Sequence, residues 1–321
     1  MMTLPTRFDF FAIGEALVDF ISDNIVDSLA MAKKFHVFVG GQSANLAIDL
    51  ALLGKNTGLA ACVGDDGFGD LICEYLESVG VATDYLTRVS MCPTTVAINA
   101  RQTKTPDFII HRGADIFLNN SDGLEEVICE SRIVHTSAFA LARQPARSTI
   151  TRALRMAQEN GCLVTLDPNY HPHNWPDTLE FVNDLKTACM YVDVIKPSLD
   201  DCVRLFGPGY SPAEYASSFL DWGPSEVIIT MGGEGVLLAS SSGPSYHITP
   251  NKVTVADVTG AGDAFWAGYL YSWLEGSPAL EAVCLGQVVA EAKVGVMGPI
   301  TQMPQLDELM VSARGVLYKE V

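Results

Sequence analysis

The chain has 321 residues, 48% apolar and 18% charged, which is ample material for a buried sheet and argues against general disorder. Acidic residues outnumber basic ones 38 to 20, a formal charge of -18, and the cations form no run, so nucleic acid is disfavoured as a partner; backbone amides and a metal ion can still hold a nucleotide's phosphates. Eight cysteines without a C-x-x-C pair read as reduced, mostly buried thiols, and no stretch reaches the roughly 18 apolar residues of a membrane span.

Arg7 and Asp9 before a short apolar stretch do not make a signal peptide, so a cytoplasmic protein is expected. Phe8 to Phe20, aromatic and aliphatic around Gly14, reads as an opening strand that ends near Glu15 to Asp19. Apolar residues at helical spacing from Ala44 to Leu53, stopped by Gly54, predict a helix feeding a strand at Thr57 to Val63. Asp70 to Val79 is again helical with Gly80 as its cap, and Val81 to Leu86 leads to an extended stretch. Val96 to Ile98 and Phe108 to Ile110 flank the turn-like Lys104-Thr105-Pro106-Asp107, which predicts a hairpin outside the main sheet.

Further along, Arg147 to Gln158 reads as a helix ended by Asn160-Gly161, and Leu163 to Leu166 as a strand closing on Asp167-Pro168-Asn169. Val192 to Ile195 and Val227 to Thr230 are short β-branched strands with a helix, Pro212 to Leu220, between them; Ser240 to Pro244 reads as a hairpin turn. Such alternation predicts an α/β fold, a mainly parallel sheet covered by helices on both faces. Residues 1–321 are expected to form a single domain.

The strongest chemical signal is Asp257-Val258-Thr259-Gly260-Ala261-Gly262-Asp263, followed by an apolar run of helical period. Glycines at 260 and 262 allow a tight path into a helix N-terminus, where outward amides form an anion hole. Donors fixed in advance stabilise the charge that gathers on a migrating phosphoryl group. Asp263 then stands beside the hole, able to take a proton from an attacking hydroxyl, although an aspartate there can equally cap the helix.

With the next two residues, Ala264-Phe265, that run resembles the C-terminal signature of the PfkB, or ribokinase-like, carbohydrate kinases. Gly40-Gly41-Gln42-Ser43-Ala44-Asn45-Leu46-Ala47, continuing to Leu53-Gly54 and Val63-Gly64-Asp65-Asp66-Gly67-Phe68-Gly69, resembles their N-terminal signature. Asp167-Pro168-Asn169, Lys196-Pro197-Ser198 and Thr230-Met231-Gly232-Gly233-Glu234-Gly235 have counterparts in the same order.

The resemblance implies a ribokinase-like fold with a small β lid, from segments near 17–39 and 94–112, that keeps water from ATP. It implies Asp263 as general base, with the Gly260, Ala261 and Gly262 amides as anion hole. Asp19, Gly40, Gly41, Asn45, Asp167 and Asn169 would meet the sugar, with Arg112 reaching over it from the lid; Asn45 can otherwise cap its helix and Arg112 can be a solvated edge residue. Lys196, Ser198, Thr230, Gly232, Gly235 and Thr259 would lie along ATP. Asp201 would support Mg2+, and a monovalent cation, K+, is implied near Asp257. Exposed lid edges point to a homodimer.

The chain departs from the family where Ser198-Leu199-Asp200-Asp201 replaces an Asn-x-x-Glu element; a plain N-cap with an acidic first turn reads equally well there. Gln42 in place of a lysine makes ribose and phosphorylated sugars less attractive. Asp167-Pro168-Asn169-Tyr170-His171 with Trp175-Pro176 looks most like fructokinases and 2-keto-3-deoxygluconate kinases, except that His171 replaces an arginine. His171 and His173 read as loop histidines rather than a metal pair. Phosphorylation of fructose or a related ketose is expected; a keto-deoxy acid sugar, a nucleoside and a non-catalytic sugar-binding regulator of the same fold are the alternatives. A dinucleotide oxidoreductase is weaker, as no G-x-G-x-x-G follows the first strand.

Overall fold

The computed structural model describes residues 6–101, 108–119, 122–296 and 305–321. The chain opens with β1 (Phe8–Ile13), β2 (Leu17–Ile25) and β3 (Phe35–Gly40), and α1 (Gln42–Leu52) leads into β4 (Thr57–Gly64). Then come α2 (Gly67–Ser78), β5 (Leu86–Val89), β6 (Val96–Arg101) and β7 (Phe108–His111). Alternation follows through α3 (Leu124–Cys129), β8 (Ser131–Ser137), α4 (Ala146–Glu159), β9 (Leu163–Asp167), α5 (Thr178–Cys189) and β10 (Val194–Ile195). The last third comprises α6 (Leu199–Phe206), α7 (Pro212–Leu220), β11 (Glu226–Thr230), β12 (Val236–Ser240), β13 (Tyr246–Ile248), α8 (Ala261–Leu274), α9 (Ala279–Val294), α10 (Leu306–Arg314) and β14 (Tyr318–Glu320).

Among the described residues, ten strands form one sheet in the order β14-β13-β12-β11-β10-β9-β8-β1-β4-β5. From β11 to β5 all neighbours are parallel, and β12 to β14 add an antiparallel edge. β1 lies inside this sheet, Phe10 facing both Thr57 and Ile133 across the ladder. Successive side chains therefore feed opposite cores. Phe11 and Ile13 enter one cluster with Val134, Val227 and Ile229, under α4, α5 and α7; Phe10 and Ala12 enter the other with Ile133 and Ile228, under α1, α8 and α9. Burial on both faces explains why these strands read as unbroken apolar runs.

The expected single strand from Phe8 to Phe20 is two strands in different sheets. Gly14 ends β1 by donating its amide to the Ala60 carbonyl at 3.0 Å, and a Cβ there would collide with Ser43. The chain then leaves as β2 into a second, four-stranded sheet of order β3-β2-β6-β7. In it β2 pairs antiparallel with β3 and parallel with β6, and β6 pairs antiparallel with β7 as the expected hairpin; the turn at 104–107 lies outside the described residues. The strand expected at Val192 to Ile195 shortens to β10. The Pro212 to Leu220 helix stands as read, with Ser211 and Glu214 forming a capping box. Five of the eight cysteines, 62, 162, 189, 202 and 284, are buried, and all eight are free thiols.

Helices α8 and α9 meet closely because both carry glycine at the crossing. A Cβ on Gly268 would stand 2.8 Å from the Leu285 carbonyl oxygen and 2.9 Å from the Gly286 Cα. Gly268→Ala is therefore expected to force the pair apart and lower stability by roughly 1–3 kcal/mol, read as a reduced midpoint in urea unfolding.

Candidate active site

A cleft of about 580 Å3 opens where the parallel strands end, between the main sheet and the four-stranded one. Asp19 and Asn99 line it from the second sheet, Asp167, Lys196 and Thr230 from the ends of β9, β10 and β11, and Asp263 from the start of α8. A larger cavity of about 760 Å3, bounded by Leu238, Tyr246, Leu280 and Met310, contains none of the site residues expected from sequence.

Gly260 adopts φ +76° before α8, a left-handed turn that a bare residue makes without penalty. The first helical amide bond runs from the Ala264 N–H to the Gly260 carbonyl at 3.0 Å, so the N–H groups of Gly262 and Asp263 precede that ladder and face the cleft end of the helix. The Ala261 amide is engaged, donating to the Val258 carbonyl at 3.2 Å. Asp263 Oδ2 accepts from the Asn45 amide at 2.9 Å. Burial pushes the Asp263 carboxyl up to about 7; the Asn45 donor and the Lys196 charge oppose the rise, while Asp167 and Glu15 reinforce it.

Asn45 reaches Asp263 because α1 is anchored from below by Glu15. This carboxylate, 1% exposed, accepts the Gln42 amide at 2.8 Å, the Ser43 hydroxyl at 3.2 Å and the Ser137 hydroxyl at 2.9 Å. Sequence reasoning assigned Glu15 no role, since only the turn between β1 and β2 brings it under the helix. Gly41, φ +96°, begins α1 where a Cβ would lie 2.8 Å from the Glu15 carbonyl oxygen, and it lines the cleft. Gly40 does not line it: a Cβ there would collide with the Asp19 carboxylate, so this glycine makes room for a neighbouring side chain. Asp19 accepts from Asn99 at 2.9 Å, and burial raises its carboxyl to about 6.

Asp167 is almost wholly engaged. Its Oδ2 takes the Lys196 ammonium at 2.7 Å and the Trp266 indole N–H at 3.0 Å, and its Oδ1 accepts the Asn169 amide at 3.0 Å. Asn169 itself sits at φ +36°, which asparagine tolerates, and lines the cleft. The Lys196 Nζ would be 3.4 Å from a Cβ on Gly262, so the ammonium lies directly beneath the opening turn of α8. Thr259 also lines the cleft, its amide bonded to Asp257 at 3.0 Å, whereas Asp257 is 1% exposed and sits behind the turn.

Ser198 and Asp201 form a reciprocal capping box at the start of α6, and Asp201 also accepts the Tyr170 amide at 3.1 Å. Both line the cleft. Gly232 and Gly235, at positive φ around a tight turn, do not; a Cβ on Gly235 would press on Pro250. Arg112 is also absent from the lining. It forms an ion pair with buried Asp115, donates to Asn174 Oδ1 at 2.6 Å and stacks on Phe139 at 4.2 Å, which ties β7 to the body of the protein. His171 does line the cleft, packed on Phe108 with ring centroids 4.1 Å apart, and burial lowers its pKa to about 4.

Residues 8–306 match the pfkB family of carbohydrate kinases. The chain belongs to that family. As a pfkB kinase it is an ATP-dependent sugar kinase with the ribokinase-like α/β fold. It is 32% identical over 303 residues to the ATP-dependent 6-phosphofructokinase of Thermoanaerobacterium thermosaccharolyticum, covering 94% of this chain and 93% of that one. It is 27% identical over 311 residues to a 5-dehydro-2-deoxygluconokinase of Clostridium perfringens, covering 94% and 92%. Among solved structures, the fructokinase of Halothermothrix orenii superposes with a TM-score of 0.76 at 32% identity, over 91% of this chain and all of that one. Among the described residues no helix is long and apolar enough to cross a membrane.

A cleft carboxyl raised to about 7, where a general base is expected from the sequence, has a direct kinetic signature. As pH falls through about 7, Asp263 takes up a proton, so kcat/KM is expected to fall on the acid side with an apparent pKa near that value. Asn45→Ala removes a donor that favours the ionised form and should move this limb to higher pH, measured by initial rates across pH 5–9.

Proposed function

We propose that this pfkB kinase transfers the γ-phosphate of ATP to a hydroxyl of an uncharged ketose, fructose first, with Asp263 as general base. The observation that carries the reading is the Asp263 carboxyl, raised to about 7 and held by Asn45 at a helix N-terminus that faces the cleft. A base titrating near neutrality combines ready ionisation with enough proton affinity to assist an alcohol. The sugar hydroxyl gives its proton to Asp263 Oδ as its oxygen attacks the γ-phosphorus; the bond to the β-phosphate bridging oxygen breaks, and ADP leaves. The Gly262 and Asp263 amides, reinforced by Lys196 beneath them, stabilise charge on the migrating group.

The sugar end of the cleft supports a neutral substrate. Asp19, Asn45, Asn99 and Asn169 offer acceptors and donors matched to hydroxyls, beside the apolar walls of Leu17, Phe139 and Ile110. The positive side chains lining the cleft are already committed, Lys196 to Asp167 and Arg204 to Asp200 and Asp201 at 3.8–3.9 Å, and His171 is neutral at physiological pH. A keto-deoxy acid or a sugar phosphate would need a cation freed from these pairs or from the Arg112–Asp115 pair. The dehydro-deoxygluconokinase relative makes the acid sugar the second reading.

On the nucleotide side, Thr230, Ser198 and Thr259 lie along the proposed ATP path, with Gly232 and Gly235 shaping the turn beyond it. A magnesium ion bound with ATP would neutralise phosphate charge. Asp200 and Asp201 fit such an ion through intervening water, because Asp201's oxygens already serve the α6 cap and the Tyr170 amide. At the place near Asp257 where K+ is implied, a side-chain cation, Lys293, already exerts its attraction.

We read residues 1–321 as one unit in which the four-stranded sheet is a lid over the sugar. The exposed Phe35 and Val37 on its β3 edge fit pairing with a second copy.

In a coupled assay of ADP release, fructose should give a higher kcat/KM than fructose 6-phosphate, 2-keto-3-deoxygluconate or 5-dehydro-2-deoxygluconate; a preference for either acid sugar favours the second reading. Asp263→Asn should retain ATP binding while kcat drops about 10²–10⁴-fold. Because folding raises this group's pKa, its ionised form costs stability above the unfolded value. The Asn variant is therefore expected to melt no lower than the parent at pH 8, which separates lost chemistry from lost fold.

A further inference from the structure

Behind the turn that opens α8 lies a second void of only about 20 Å3, walled by Asn45, Asp49, Tyr75, Gly260, Asp263 and Lys293. Lys293 stands in the last turn of α9, 1% exposed, and its Nζ has no hydrogen-bond partner among the described residues. Its Cε would be 3.4 Å from a Cβ on Gly260, so the side chain runs close under the left-handed turn. An ammonium taken out of water without hydrogen bonds is costly, and the compensation available here is charge. Burial lowers its pKa, while Asp257, Asp49 and Asp263 oppose that, in this order. These carboxylates come from three places: α1, the segment before α8, and α8 itself. Packing alone does not call for a lysine at this depth, since the neighbouring α9 positions Val288 and Val289 fill their space with apolar groups.

We propose that Lys293 is a positioning residue for phosphoryl transfer: its ammonium is the fixed counter-charge that holds the Gly260 turn and lets Asp49, Asp257 and Asp263 stand together beside incoming phosphate. It touches neither substrate. Without it, negative charge behind the turn would oppose both the ionised base and the γ-phosphate at the Gly262 and Asp263 amides. Facing Lys293 are Asp49 from α1, Tyr75 from α2, Asp257 before α8 and Asp263 on α8; Asp263 also faces Asn45, Glu15, Asp167 and Lys196. The inference rests on Asp263 as the base, and its test is separable from that reading because Asp263→Asn abolishes the acidic limb whereas a change at Lys293 displaces it.

The experiment compares Lys293→Met, Lys293→Gln and Lys293→Arg with the parent enzyme, using ATP and the best sugar, by steady-state rates from pH 5 to 9 and by thermal melts. The neutral variants are expected to keep the sugar KM within about threefold, lose about tenfold or more in kcat at pH 7, and move the acidic limb upward. Lys293→Arg should recover part of kcat, and methylammonium added to a neutral variant should do the same by supplying a cation to the void. A folded neutral variant with the parent's kcat and acidic limb overturns the proposal. So does failure of both neutral variants to fold together with an unshifted limb in Lys293→Arg, which would make the lysine a residue of the fold alone.

Discussion

One hydrogen bond joins two distant parts of the cleft: the Asn45 amide donating to the Asp263 carboxylate at 2.9 Å, across 218 residues of sequence. It fastens the start of α1 to the start of α8, so two helix N-termini converge on one cleft. Glu15 takes up the first α1 amides, Gln42 and Ser43, whereas the α8 end keeps the Gly262 and Asp263 amides, with the helix dipole, for the cleft. The bond also fixes which oxygen of Asp263, Oδ2, is occupied.

That convergence depends on carboxylates buried below it. Glu15 ties the α1 amides to Ser137 at the end of β8, and Asp167 at the end of β9 holds Lys196 under α8. Both are spent on protein partners. Their stability depends on neighbours that satisfy them, because a buried charge that loses a partner becomes a large penalty. The site is thus supported from strand ends packed on both faces by helices, a rigid base for a region rich in like charge.

The alternation of helix and strand, the second-sheet hairpin and the Gly260–Asp263 turn were all legible in the sequence, because each rests on local signals: period, turn residues and glycine placement. The split of Phe8 to Phe20 was not legible, since two adjacent strands serving different sheets are both apolar and only Gly14 marks the break. Helix α9 gave no amphipathic signal because Ala282 to Val289 is buried all round. Within the site, Asp19, Gly41, Asn45, Asp167, Asn169, Lys196 and Asp263 do meet at the cleft. Glu15 was hidden because its partners, Gln42, Ser43 and Ser137, are brought to it by tertiary packing. Arg112 and Gly40, expected from the sequence as substrate contacts, do not line the cleft here: the first is paired with Asp115 and the second makes room for the Asp19 side chain.

The junctions between the two sheets are short. Only Gly14 to Ala16 separate β1 from β2, and only Gly41 separates β3 from α1. A rocking of the four-stranded sheet therefore pulls on the same few residues that seat Glu15 and lead into Asn45. On the proposed reading, roof and proton acceptor would share one linkage: a tilt of the second sheet would re-aim the Asn45 amide bonded to Asp263, tying alignment to the exclusion of solvent.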